Sequence, residues 1–245
     1  MKYSPSGKVL LLAATGWEAS PLARSLGLRP TRPGQYEGRV RSRNVLLLQT
    51  GIGPEAAARA LGQVSASRAP TGFSMAVSTG FAGALQPELR PGDLIADLPD
   101  PDCAAYPALA PAAAQAGLRL RLGRIAHSDT VLDRPEQKRA LGAASQALAV
   151  DMETAALRSW AQAYGLPALG LRLILDRLED GLPGAVPEDA KLFALLGYLS
   201  AHLLQFPLLA RLGLRTRRLM PRYGLFLSDF LSSLNVSDAI TSEAH

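Results

Sequence analysis

Three carboxylates in this chain stand at the ends of apolar runs: Glu18, Glu153 and Asp176. Glu153 follows Leu148-Ala149-Val150 and precedes the helical pattern Ala155, Ala156, Leu157 and Trp160. Open α/β sheets gather ligands at strand ends, and an acidic side chain at a helix N-terminus also gains from the helix dipole. On its own, Glu153 therefore reads either as a ligand group or as a plain helix-terminal carboxylate. Gly-rich turns also follow strand-like runs, at Gly16, at Gly51-Ile52-Gly53 and from Gly80 to Gly83. Glycine lets backbone N–H groups come close to an oxyanion or a sugar, although any tight turn needs it too. Neither GxGxxG nor GxxxxGK followed by Ser or Thr occurs in a strand-to-helix setting, so a dinucleotide or ATP site has no support. The inventory suits cleavage of an N-glycosidic bond. One group activates water, one protonates the leaving purine, and a polar side chain grips the ribose hydroxyls.

The elements that must position these groups follow from hydropathy. Residues 9–14, 45–49, 74–78 and 168–175 are apolar runs of strand length, the last ending on Asp176. Runs of this kind fit strands buried on both faces. A helical pattern through Leu22, Ala23 and Leu26 follows the first, and an Ala-rich helix over residues 55–65 follows the second, with Pro54 suited to its first turn. Residues 30–38 read as a loop or edge segment, 94–96 as a short strand, 99–111 as irregular and Pro-rich, 118–126 as one or two strands, and 134–148 as helical. Strands alternating with helices predict a three-layer α/β/α sandwich around a central mixed, largely parallel sheet. The expected organisation is an α/β domain over residues 1–187, a helical basic arm over 188–234 packed on or beside it, and a frayed tail over 235–245.

Composition narrows the function classes. The chain has 245 residues, 48% of them hydrophobic, which suffices for one sizeable core. A single cysteine, Cys103, gives neither an internal disulfide nor a CxxC motif, and His127, His202 and His245 are too scattered for a zinc site. The apolar run at residues 9–14 is too short for a signal peptide, so the expectation is a cytoplasmic protein. The net charge of +5 is localised: residues 191–227 carry six basic side chains and no acidic one, leaving the remainder near −1. Residues 192–210 approach the length of a membrane span, but Pro207, His202 and Gln205 favour packed or interfacial helices. Within the arm, Arg211, Arg215 and Arg218 recur at helical spacing beside Leu208, Leu212 and Leu219, a pattern fit for an anionic membrane or for packing on the body.

Four motifs in order resemble the nucleoside phosphorylase and nucleosidase superfamily, and most closely its methylthioadenosine/adenosylhomocysteine nucleosidases and hopanoid-associated phosphorylases. They are Thr50-Gly51-Ile52-Gly53; Ser78-Thr79-Gly80-Phe81-Ala82-Gly83-Ala84-Leu85 with Leu89-Arg90-Pro91-Gly92-Asp93-Leu94-Ile95; Val150-Asp151-Met152-Glu153; and Leu171-Arg172-Leu173-Ile174-Leu175-Asp176. The resemblance covers about residues 8–176. It implies that Glu153 holds the ribose 2′- and 3′-hydroxyls with Met152 packed on the sugar. Asp176 would protonate purine N7 and hydrogen-bond the exocyclic amine, and Glu18 would activate water. Gly80, Phe81 and Ala82 would line the base or ribose side, with Val131 and Leu132 against the purine.

The departures from the family pattern carry information. Phe81 replaces a serine, and no arginine stands next to Ser78-Thr79 as it does in phosphorylases that clamp phosphate there, which tilts the acceptor toward water or toward phosphate held by other groups. Asp176, where branches acting on 6-oxopurines have Asn, favours adenine as the leaving base. Leu182-Pro183-Gly184-Ala185 and the Leu/Arg arm resemble the hopanoid-associated branch, whose substrate is a lipid carrying adenosine. The expected substrate is thus an adenine nucleoside, soluble and methylthioadenosine-like or lipid-linked. No metal and no cofactor are expected, phosphate being the one co-substrate left open. The expected partners are that nucleoside, a second copy of the chain and, through residues 208–222, a membrane surface, with no nucleic acid. The alternative is a non-catalytic nucleoside-binding module on the same fold.

Overall fold

The computed structural model describes residues 7–67, 70–98, 106–181 and 206–242. In chain order the strands are β1 (Lys8–Ala13), β2 (Arg29–Arg32), β3 (Gln35–Val40), β4 (Arg43–Gln49), β5 (Phe73–Ser78), β6 (Phe81–Ala84), β7 (Asp93–Asp97), β8 (Arg119–Leu122), β9 (Ile125–His127), β10 (Ala149–Asp151) and β11 (Ala168–Asp176). The helices are α1 (Gly16–Ser25), α2 (Pro54–Ser67), α3 (Tyr106–Gln115), α4 (Pro135–Ser145), α5 (Thr154–Ala163) and α6 (Phe206–Ser242).

One mixed sheet runs in the order β2-β3-β4-β1-β5-β11-β6-β10-β9, with β7 paired to β11 and β8. The central pairs β4–β1–β5–β11–β6 are parallel. Antiparallel pairing joins β2, β3 and β4 at one edge, β6 to β10, and β7 to β11. The alternation of side chains along β1 divides the core. Val9, Leu11 and Ala13 pack with α1, α3 and the 220–234 stretch of α6, whereas Leu10 and Leu12 pack with Leu61 and Val64 of α2 and Leu157 and Ala161 of α5. Helix layers on both faces of a mostly parallel sheet are the sandwich that the hydropathy pattern predicts.

β11 organises the site. Its first half pairs with β5, its middle with β7, and its last residues with β6, where the register shifts between Ile174 and Asp176. This irregularity sets Asp176 opposite Gly83 on β6.

Several sequence expectations are corrected. The Gly-rich segment after Gly80 is strand β6, because Gly83 sits beside the Asp176 carboxylate where a Cβ would stand 3.3 Å from Oδ2. Helix α3 occupies part of the segment read as irregular; Ala108, Leu109, Ala112 and Ala113 give it an apolar stripe on the core that outweighs Pro111. Residues 235–242 continue α6 instead of fraying. The arm is also less of a separate unit than the sequence suggests, since Met220, Tyr223, Phe226, Leu227, Phe230, Leu231 and Leu234 belong to the main core. Among the described residues, no helix is long and apolar enough to cross a membrane. Cys103, the segment after Gly181 and most of the 192–210 apolar run lie outside the described residues.

Candidate active site

Each of the three carboxylates is built in by a local reason. Glu18 is the third residue of α1 and accepts the Thr15 N–H at 2.9 Å, closing a capping box. A capping glutamate needs no further partner, yet its other oxygen accepts the Phe81 N–H at 2.9 Å, so the side chain spans from α1 to β6. Gly80 lies directly beneath it with φ +120°; a Cβ there would come 2.3 Å from Glu18 Oε1, so only glycine leaves room for the carboxylate.

Glu153 immediately precedes α5, but Asp151 caps that helix, accepting the Thr154 N–H and hydroxyl. Glu153 is thereby released from the plain helix-terminal role. Its Oε1 accepts the Gly53 N–H at 2.9 Å, and its Oε2 accepts from Arg172 at 3.2 Å. Gly53, at φ +93°, turns this N–H toward the carboxylate, and Met152 packs over the same turn. Burial pushes the Glu153 carboxyl above its ordinary range; the Arg172 guanidinium opposes this, and Asp151 reinforces it.

Asp176, at the end of β11, is 3% exposed. Burial raises its carboxyl too, opposed by the ammonium of Lys138, with which it forms a buried ion pair. The three groups converge on one cavity of about 280 Å3, near the lower end of small-ligand sites. Phe81, Ala82, Met152, Val131 and Leu132 line it, while Gly80 lies beneath Glu18.

Four further groups complete the site, none of them assigned a role by the sequence. Arg172, 1% exposed, pairs with Asp151 at 2.5 Å and with Glu153, and donates to Ser78 Oγ at 2.7 Å and the Thr79 carbonyl at 2.8 Å. An arginine thus does stand against Ser78-Thr79, contrary to the sequence reading, but it arrives from β11, with Nη2 turned to Asp151, Glu153 and Ser78 and Nη1 to the Thr79 and Phe81 carbonyls. Burial alone would lower the Arg172 guanidinium; Asp151, Glu153 and Glu18 outweigh that and hold it above its usual range. Asp151 and Lys138 are the second and third groups. The fourth, Tyr223 of α6, donates to the Leu171 carbonyl and accepts the Gly80 N–H, tying the C-terminal helix to the floor of the site; burial raises its phenol. A signal for Arg172 was present, as the one charge inside the apolar run 168–175. Lys138 and Tyr223 meet their partners only through the sheet topology.

The basic arm is also corrected. Arg215 turns inward, donating to the Leu175 carbonyl and to Asp180, both at 3.0 Å, which breaks the expected arginine stripe, while Leu219 packs on the core, in line with the packing alternative. A larger groove of about 720 Å3 between α1 and α6 is lined by Trp17, Pro21, Arg24, Arg217 and Met220 and holds no carboxylate.

The sequence profile of the phosphorylase superfamily matches residues 8–96 and 97–195. The chain belongs to the phosphorylase superfamily. Solved structures of similar fold include futalosine hydrolase of Helicobacter pylori strain 26695, with 17% identity over 94% of this chain and 97% of that one and a TM-score of 0.64. The Helicobacter pylori 5′-methylthioadenosine/S-adenosyl homocysteine nucleosidase, complexed with a substituted pyrrolidin-3-ol, shares 17% identity over 94% and 97%, TM-score 0.65. The corresponding Campylobacter jejuni nucleosidase shares 18% over 91% and 98%, TM-score 0.64. No curated protein matches the sequence. Phosphorylase-superfamily membership agrees with the mixed sheet and with a cavity at the ends of β6, β10 and β11.

Proposed function

We propose that this protein hydrolyses the N-glycosidic bond of an adenine nucleoside. The observation that carries the reading is the convergence of three buried carboxylates, Glu18, Glu153 and Asp176, from three separate elements on one small cavity. Departure of the base leaves the ribose oxocarbenium-like. With Asp151 included, four carboxylates surround two cations, Arg172 and Lys138, among the described residues there. That excess of negative charge favours a cationic transition state. In this reading Glu153 grips the ribose hydroxyls, Glu18 takes the proton of the attacking water, and Asp176 faces the purine. A carboxylate at that edge accepts from an exocyclic amine, which selects adenine over a 6-oxopurine. In this reading water is the acceptor, because both terminal nitrogens of Arg172 are engaged by Asp151, Glu153, Ser78 and backbone carbonyls and Phe81 offers no hydroxyl.

Comparison of ribo- and 2′-deoxyribonucleosides tests the role of Glu153. A site built to bond a hydroxyl leaves its polar group unpaired when the hydroxyl is missing, so the 2′-deoxy substrate loses about 10²-fold or more in kcat/KM. Equal kcat/KM for the two removes the ribose-gripping role.

The same reading assigns peripheral membrane contact to the outer face of α6, consistent with a lipid-linked substrate. Arg211, Leu214, Arg217, Arg218, Arg222 and Leu225 are exposed on that helix, and Trp17, 76% exposed, flanks Glu18 on α1. Arginines ringing exposed Leu and Trp complement an anionic bilayer. Each arginine contributes about 1 kcal/mol at such a surface, so Arg211/Arg217/Arg218→Gln lowers affinity for anionic vesicles by on the order of a hundredfold. Co-sedimentation at low salt measures this; absence of wild-type binding, or binding to neutral vesicles alone, overturns the contact.

A further inference from the structure

Lys138 is the cation of the cavity wall that the hydrolytic scheme leaves without a task. It comes from α4, whose buried residues are Lys138 and Gly142. A Cβ at Gly142 would stand 2.6 Å from the Leu85 carbonyl oxygen, so the glycine brings the helix close enough to drive the lysine inward. The side chain is fully buried. Its Nζ donates to Asp176 Oδ2, to the Arg177 carbonyl at 3.1 Å and to the Asp180 carbonyl at 2.8 Å. The two carbonyls take two N–H groups, and the third contact, between Nζ and Oδ2, holds one proton whether it sits on the amine or on the carboxyl. Asp176 therefore shares the proton it can give with Lys138 and does not hold it alone.

We infer that Lys138 is the proton source behind Asp176, so that the leaving purine is protonated by a Lys138–Asp176 pair holding one mobile proton. The inference rests on the glycosidic cleavage proposed above. As the C1′–N9 bond breaks, its electron pair stays with the purine. A proton passes from Nζ to the Asp176 carboxylate and from that carboxyl to N7, leaving a neutral amine beside a carboxylate. Water forms the new C1′–O bond and yields its proton to Glu18; exchange with solvent then returns a proton to Lys138, so overall one water is consumed. Burial favours the neutral tautomer of the pair, and the Arg177 and Asp180 carbonyls around Nζ favour the ionic one; these opposed tendencies ease the transfer. In this account Lys138 is a positioning and proton-supplying residue, and Asp176 is the group that touches the base.

The surrounding charges are few. Asp180 lies beside the pair but is bound to Arg215 of α6 at 3.0 Å and to the Arg177 N–H at 3.0 Å. On the outer side of α4, Arg139 pairs with Glu136 and Glu179. β6 presents the uncharged Gly83.

The pH profile of kcat/KM for adenine release tests the pair. With the proton shared across the pair, wild-type activity persists to more alkaline pH than that of a variant lacking the lysine. Lys138→Gln, which retains N–H donors for the two carbonyls, leaves a lone carboxylic acid. Its rate falls about 10²-fold at alkaline pH and recovers toward acid pH. Lys138→Met behaves alike, and thermal melting establishes that each variant is folded. A Lys138→Gln profile parallel to wild type makes the lysine a structural tie only and overturns the inference. Higher activity of the variant at neutral pH overturns it too, since the lysine then merely suppresses Asp176 protonation. If neither variant folds, the wild-type profile decides: activity that falls as pH rises and is already gone by about pH 7 is the behaviour of a lone carboxylic acid and refutes the pair. A wild type that releases no base at any pH refutes the glycosidic reading itself, which is a different outcome from an active wild type with an unshifted variant.

Discussion

Asp176→Asn is expected to cut the rate of purine release by about 10²-fold or more, the scale of a lost general acid. Asn keeps an oxygen that can accept from Lys138 Nζ and fits the space beside Gly83, so the sheet and the cavity survive. The substitution also strips a buried ammonium of its counter-charge, so some stability is lost along with activity. Rate and stability are separated by measuring kcat well below the melting temperature of the variant, with circular dichroism showing that the fold is retained. A folded Asp176→Asn protein with near wild-type turnover on adenine nucleosides contradicts the assignment of Asp176.

The second large effect is thermodynamic. Arg172→Met leaves Asp151 and Glu153 buried without their cation, and frees Ser78 and the Thr79 carbonyl of their donor. Breaking a buried ion pair from one side costs about 3–5 kcal/mol. Against a typical domain stability of about 5–15 kcal/mol, this is a large fraction. Denaturant titration reads it directly. The triple variant Arg172→Met, Asp151→Asn, Glu153→Gln removes the stranded charges and recovers part of the loss. A cost under about 1 kcal/mol for Arg172→Met means that the guanidinium does not hold the two carboxylates.

Much of this site was legible in the sequence because strand ends are local. Apolar runs leading to Glu153 and Asp176 marked both carboxylates, but on these runs alone Glu153 stayed open to a plain helix-terminal role; the four motifs resembling the superfamily were what joined the two in one expected site. The cations were hidden by topology. Arg172 is held by residues up to 94 positions away, and Lys138 by a carboxylate 38 positions away. Neither distance follows from periodicity. Local composition misled in two places: glycines that leave room for Asp176 made β6 read as a turn, and prolines masked the apolar stripe of α3. In the arm, spacing alone could not show that Arg215 turns inward, because its partners, the Leu175 carbonyl and Asp180, sit on and just beyond the end of β11.

The central claim is that Glu18, Glu153 and Asp176 form a hydrolytic site for adenine nucleosides. Its most direct measurement is chromatographic detection of free base from adenosine, 5′-methylthioadenosine and inosine, each with and without inorganic phosphate. The account predicts adenine release from the adenine nucleosides without phosphate, with free ribose or its 5′-substituted form as co-product, and little release from inosine. Release that requires phosphate and yields a ribose 1-phosphate contradicts the assignment of water as acceptor, and failure to release base from any of the three contradicts the account as a whole.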